Sequence, residues 1–234
     1  MQTLRQAAMS ARPDQLAIER EVAIGPLRLK GDLRVPRESW ALVIFAHGSG
    51  SSRFSVRNRL VAEALNGQGI ATLLFDLLTA DEENDRAYIF DISLLANRLG
   101  DVVHWAGAQA ELAALPIGVF GASTGAAAAL MAAAERGSRI GAVVSRGGRP
   151  DLAGAALPYV TAPTLLIVGG NDDVVITLNE QAYAQLKSRK ALEIVPGASH
   201  LFPESGAMET VIALASRWFA DCLAPASRDR TSRA

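Results

Sequence analysis

The stretch Ile117-Gly118-Val119-Phe120-Gly121-Ala122-Ser123-Thr124-Gly125-Ala126-Ala127-Ala128-Ala129-Leu130 decides the fold. A short apolar run gives way, across two glycines, to an alanine-rich helix former, so a buried strand turns sharply into a helix with a serine at the corner. Glycines at 121 and 125 leave no side chain beside that corner, and the turn holds Ser123 in a strained backbone with its hydroxyl clear of the sheet end. The helix N-terminus behind it favours developing negative charge. Alone, Gly-x-Ser-x-Gly is also an ordinary small-residue turn; the strand before it and the helix after it give it chemical meaning.

Further short apolar runs lie at Ala41 to Ala46, Ile70 to Phe75, Ile140 to Val144, Thr164 to Val168 and Leu192 to Val195. Runs of this kind suit strands buried on both faces of a mostly parallel sheet. Helical spacing falls between them, at Arg57 to Asn66, Ile92 to Ala110, Gly125 to Glu135, Leu178 to Ser188 and Met208 to Leu223. Strand alternating with helix predicts a doubly wound α/β sheet. Ahead of it, Glu19 to Ile24 and Leu27 to Leu33 alternate around Gly25-Pro26, which predicts an antiparallel N-terminal hairpin. One domain over 17–223 is expected, with tails at 1–16 and 224–234.

The 234 residues are 50% hydrophobic and 20% charged, enough for a globular interior, and the net charge of -1 offers a polyanion no sustained attraction. No nucleic acid and no membrane partner are expected. The single cysteine, Cys222, sits late in a terminal helix and reads as packing. The N-terminal residues are polar and charged, and no apolar run is long enough to span a bilayer, so a cytoplasmic protein is expected, as a monomer or homodimer.

Ligands of such sheets bind at the carboxyl ends of the strands, so the chemistry is sought in the residues after each run. A serine hydroxyl needs a base from elsewhere in the chain. Of the three histidines, His200 lies in the loop Val195-Pro196-Gly197-Ala198-Ser199-His200 after the last strand, from which an imidazole can reach a serine at a neighbouring strand end. His104 sits inside a helical stretch, and His47 opens His47-Gly48-Ser49-Gly50-Ser51-Ser52, where it shapes a loop. The acid belongs between serine and histidine, on Gly169-Gly170-Asn171-Asp172-Asp173, where two aspartates compete for the role and the alternative is that both simply cap the next helix. Backbone donors for an oxyanion are expected at Thr124 and at Gly48 or Ser49.

These segments resemble the α/β-hydrolases, in particular the dienelactone-hydrolase-like branch and the hydrolase domains also found fused to phosphoribosyltransferase-like domains. The resemblance rests on His47-Gly48-Ser49-Gly50, Gly121-Ala122-Ser123-Thr124-Gly125, Ser145-Arg146-Gly147-Gly148-Arg149-Pro150, Gly169-Gly170-Asn171-Asp172 and Pro196-Gly197-Ala198-Ser199-His200. It implies an α/β-hydrolase fold and selects Asp172, because in that branch the acid follows Gly-Gly-x. It departs at one point: dienelactone hydrolases proper use a cysteine nucleophile where this chain has Ser123. No phosphoribosyltransferase-like stretch is read in the chain, so no function of such a fusion is carried over.

The reading is a serine hydrolase acting on an ester or lactone of a small soluble substrate, with no cofactor and no metal. A silent binding protein on the same fold, or thioesterase or peptidase activity on the same residues, are the alternatives. No insertion is long enough for a substantial lid, although the acidic segment Thr79 to Phe90 borders the expected site. Arg146 and Arg149 follow a strand, where they either clamp a substrate anion or pair with loop acids such as Asp151 or Asp172.

Overall fold

Strand β3 (Ala41–Ala46) is buried along its whole length, and its apolar side chains need cover on both faces. The computed structural model, which describes residues 16–135 and 137–224, supplies it. The other strands are β1 (Leu16–Ile24), β2 (Leu29–Pro36), β4 (Ile70–Phe75), β5 (Ile117–Ala122), β6 (Ile140–Arg146), β7 (Thr164–Gly169) and β8 (Lys190–Val195). They form one sheet in the order β1-β2-β4-β3-β5-β6-β7-β8. β1 pairs antiparallel with β2 and β2 with β4, and every later pairing is parallel.

Among the described residues five helices cover the sheet, α1 (Val56–Asn66), α3 (Ile92–Gly107), α4 (Thr124–Ala134), α5 (Asp173–Gln185) and α6 (Ala207–Leu223), while the short α2 (Arg86–Ile89) lies in the connection between β4 and α3. Two apolar layers result. One packs α3, α4 and α5 against one face through residues such as Leu95, Leu99, Ala128 and Leu166. The other packs α1 and α6 against the opposite face through Val61, Leu65, Val211 and Phe219. Helix α4 is buried nearly all round, with Ala126, Ala127, Ala128 and Ala129 at zero exposure, which explains why its sequence shows no polar face.

From β3 the chain steps outward to β4 and returns on the other side to β5. The loops leaving β3 and β5 therefore diverge at a topological switch point, where such sheets open a crevice. The loops after β6, β7 and β8 line the same edge.

Several boundaries differ from the sequence reading. Leu27 is exposed in the hairpin turn, and β2 runs on to Pro36 instead of ending at Leu33. β8 begins at Lys190, not Leu192, because it is an edge strand with half-exposed side chains. Helix α5 runs Asp173–Gln185 and not 178–188, its exposed first turn hiding the apolar period. Pro150–Tyr159, assigned to no element from sequence, forms 3₁₀ turns broken at Gly154. The expected tails, 1–16 and 224–234, lie outside the described residues except for Leu16 and Ala224. No helix among the described residues is long and apolar enough to cross a membrane.

Candidate active site

Ser123 joins β5 to α4 with φ 51° and ψ −123°, a left-handed conformation rare for a residue with a side chain. The close packing explains the two flanking glycines. A Cβ at Gly121 would lie 2.5 Å from Ala126 Cα, and one at Gly125 would strike the carbonyls of Ala46 and His47. The elbow is braced from β6: the Ser123 amide donates to the Arg146 carbonyl (3.4 Å), and the Ser123 carbonyl accepts from the amides of Ala126 and Arg149 (each 3.1 Å).

His200 Nδ1 donates to Asp172 Oδ2 at 2.7 Å, which leaves Nε2 as the outward-facing nitrogen. The loops carrying them are stitched together. Asn171 donates from its backbone to the Ala198 carbonyl (2.9 Å) and from its side chain to the Gly197 carbonyl (2.9 Å), and Gly170 donates to the Val195 carbonyl (2.8 Å). Phe202, at 1% exposure, anchors the far side of the histidine loop in the α1/α6 layer. The imidazole hangs over Gly147: a Cβ there would sit 3.6 Å from His200 Cε1 and 3.0 Å from the His200 carbonyl. Gly147 directly follows the residue that accepts the Ser123 amide, so the serine backbone and the histidine loop both pack on the end of β6. Asp173 is exposed in the first turn of α5.

The turn after β3 closes the other side. Gly48 packs on the serine, since a Cβ there would come within 2.9 Å of Ser123 Cβ. The Ser49 amide donates to Thr124 Oγ1 at 2.9 Å, so of the expected oxyanion donors Ser49 is already engaged. Among the described residues the amides of Gly48 and Thr124 have no protein acceptor. His47 fixes this turn from below. Its Nε2 accepts the Leu77 amide (3.1 Å), so Nδ1 carries the proton and donates to the Gly48 carbonyl (3.0 Å). Burial holds the imidazole below its ordinary value, against the opposing pull of the Gly48 carbonyl.

A base depressed in the folded state stabilises the fold above its unfolded value and loses that contribution as pH falls. Wild-type stability is therefore expected to decline as pH drops below about 6.5. His47→Gln, which can keep both hydrogen bonds without titrating, should flatten that decline. Urea midpoints at pH 7.5 and 5.5 measure it; equal slopes in the two proteins would exclude His47 as the source.

A cleft of about 350 Å³ opens beside this turn, lined by residues 47–52, Thr124, Leu77, Leu78, Ile89 and Leu95 with Glu83 and Asn84. The acidic segment 79–90 does border it, as a 3₁₀ turn (Glu82–Asn84) and the short α2. One clamp holds this wall. Arg98 on α3, 7% exposed, donates to Glu82 through both terminal nitrogens (2.7 and 2.6 Å) and to the Leu77 carbonyl (3.2 Å). The Arg98 bond, helped by Thr79, draws the Glu82 carboxyl down to about 2. Sequence reasoning missed this pair, although an arginine between Leu95 and Val102 on an apolar helix face signals a buried cation in need of an acid. Arg98→Met should cost about 3 kcal/mol by stranding Glu82, read as a lower urea midpoint; an unchanged midpoint would show that the wall does not depend on the pair.

The two expected anion clamps separate. Arg149 turns its fork onto Asp151, with Nε and a terminal nitrogen each at 2.9 Å, so the pairing with a loop acid is what is seen there. Arg146 is 6% exposed and faces α1, not the cleft. His104 is on the surface, and Cys222 packs against the α1/α6 layer with its thiol pushed up by burial. Among the described residues no cluster of three or more His, Cys, Asp or Glu is placed to hold a metal ion.

Residues 39–213 match the family described as "Alpha/beta hydrolase domain". The crystal structure of a dienelactone hydrolase from Anabaena variabilis ATCC 29413 superposes with a TM-score of 0.85 at 54% identity, covering 89% of this chain and 99% of that one. Est1E from Butyrivibrio proteoclasticus shares the fold, with a TM-score of 0.72 at 18% identity over 87% of this chain and 98% of that one. A Mycobacterium tuberculosis (strain ATCC 25618 / H37Rv) protein carrying the name "Putative phosphoribosyl transferase" is 58% identical over 205 residues, which are 88% of this chain but 46% of that protein. The chain thus spans less than half the length of that relative. With the family matched along most of its length and the sheet, elbow and strand-end loops in place, the chain belongs to the α/β-hydrolase domain family and is dienelactone-hydrolase-like.

Proposed function

We propose that the chain hydrolyses carboxylic esters or lactones of small substrates through an acyl-serine. Ser123 is the nucleophile, His200 the base and Asp172 the acid that orients it. The observation that carries this reading is an imidazole already bonded to a carboxylate, on a loop that packs on the same end of β6 as the left-handed Ser123 elbow. With Nδ1 held by Asp172, Nε2 takes the serine proton as Oγ attacks the carbonyl carbon, and the carboxylate stabilises the imidazolium that forms. The amide of Thr124 and the turn at Gly48 and Ser49 flank the place where the carbonyl oxygen becomes negative. The imidazolium then protonates the departing alkoxide, and the same nitrogen deprotonates the water that releases the acid.

The cleft lined by Leu77, Leu78, Ile89 and Leu95 adjoins those donors and suits a short apolar group. The relative named dienelactone hydrolase supports a lactone as well as an open ester. Purified protein is expected to hydrolyse short-chain p-nitrophenyl esters and to be labelled by a fluorophosphonate on the peptide containing Ser123. Folded protein that does neither would point to a silent binding protein.

A further inference from the structure

Buried arginines in this fold are normally paid off by acids: Arg53 holds Asp76 (2.5 Å), Glu21 (2.9 Å) and Asp32 (3.3 Å), and Arg98 holds Glu82 (2.6 Å). Arg146 breaks the pattern. It ends β6 next to the nucleophile, and its side chain lies 6% exposed between α1 and the histidine loop. A terminal nitrogen is 3.4 Å from Asn58 Oδ1, and the guanidinium carbon is 5.9 Å from the centre of the Phe202 ring. Its Nε is sealed from solvent without an acceptor. Arg57, in the first turn of α1, has a buried Nε in the same condition.

Among the described residues no carboxylate pairs with either group. Burial, and after it the charge of Arg57, pushes Arg146 down to about 10. A buried guanidinium beside a second, half-buried one and without a counter-charge is strongly unfavourable, unless an anion completes it. The first turn of α1 carries no acid and presents the positive end of its dipole. Guanidinium forks match the oxygens of a carboxylate or phosphate.

We propose that Arg57 and Arg146 form an anion subsite beside Ser123, on the sheet face opposite the apolar cleft, which takes a carboxylate or phosphate group. The group is carried by the substrate or arrives as a free ion; only the first case rests on the hydrolase reading.

The test compares wild type with Arg57→Gln, whose half-buried side chain is replaceable without harm to the core, and with Arg146→Gln. Inorganic phosphate, against sodium chloride at equal ionic strength, should raise the melting temperature of wild type and not of the variants. An ester ending in a carboxylate should exceed its neutral isostere in kcat/KM by about tenfold or more, a preference lost in Arg57→Gln. Phosphate stabilisation without ester preference assigns the site to a free ion, and preference without phosphate stabilisation assigns it to the substrate. Arginine-dependent phosphate stabilisation in a protein that turns over neither ester keeps the subsite and removes the hydrolase reading. Equal stabilisation in all three proteins, with no ester preference that depends on Arg57, overturns the proposal.

Discussion

Ser123→Ala is expected to lower kcat for a p-nitrophenyl ester by roughly 10⁵ to 10⁶ and to abolish fluorophosphonate labelling, with the fold retained. The magnitude follows from losing the covalent route altogether: without Oγ the imidazole can only activate water, and the oxyanion donors and cleft supply what remains. The substitution removes one oxygen from a residue whose backbone bonds to Arg146, Ala126 and Arg149 do not involve its side chain. Circular dichroism and the melting temperature should therefore stay close to wild type. Turnover retained within about a hundredfold of wild type would mean that another group attacks, and the assignment of the nucleophile would fall.

Asp172→Asn should cost about 10⁴ in kcat, whereas Asp173→Asn should change it less than about twofold. The neighbours differ in environment, not in chemistry. Asp172 is largely shielded, with 17% of its side chain exposed, and its Oδ2 accepts the His200 proton at 2.7 Å. An asparagine there can offer its amide hydrogens to Nδ1 and stabilise the opposite tautomer, in which Nε2 carries the proton and cannot act as base. Asp173 faces solvent in the first turn of α5, where its charge complements the helix dipole and nothing more. Steady-state kinetics of the two variants decides between them. Equal losses, or a larger one at 173, would reassign the acid.

How far the sequence could be read depended on burial. The strands covered on both faces, such as Ile70–Phe75 and Thr164–Gly169, announce themselves as apolar runs because no position along them meets water. β8 at the sheet edge and the opening turn of α5 mix exposed and buried positions, so their ends were blurred. Pro150–Tyr159 offered no period at all, being 3₁₀ turns interrupted at Gly154.

At the site, the expectations drawn from backbone geometry meet a matching arrangement. Gly121, Ser123 and Gly125 are constrained by contacts a few residues away and His200 by its place after a strand, whereas place alone left Asp172 and Asp173 open and only the family resemblance chose between them. Residues that act through distant partners were not legible. Arg149 carried its answer two positions on, at Asp151, yet spacing alone could not choose between that acid and a ligand. Arg57 stands in the sequence only as the start of a helical stretch; it is the reach of the Arg146 side chain to Asn58, the next residue on α1, that brings the two together. The engagement of Ser49 by Thr124 joins two loops far apart in the chain and leaves no local trace.

The alanine helix behind Ser123 has a consequence for how this protein could diversify. With both its sides walled in, most of α4 accepts nothing larger than a methyl group, so the support behind Ser123 is mutationally frozen. The wall at 79–90 rests mainly on one arginine–glutamate clasp and otherwise faces solvent. In a library selected for new substrates, winning changes should accumulate along that wall and be nearly absent from the alanine helix: inheritance of chemistry and invention of specificity would occupy separate pieces of chain.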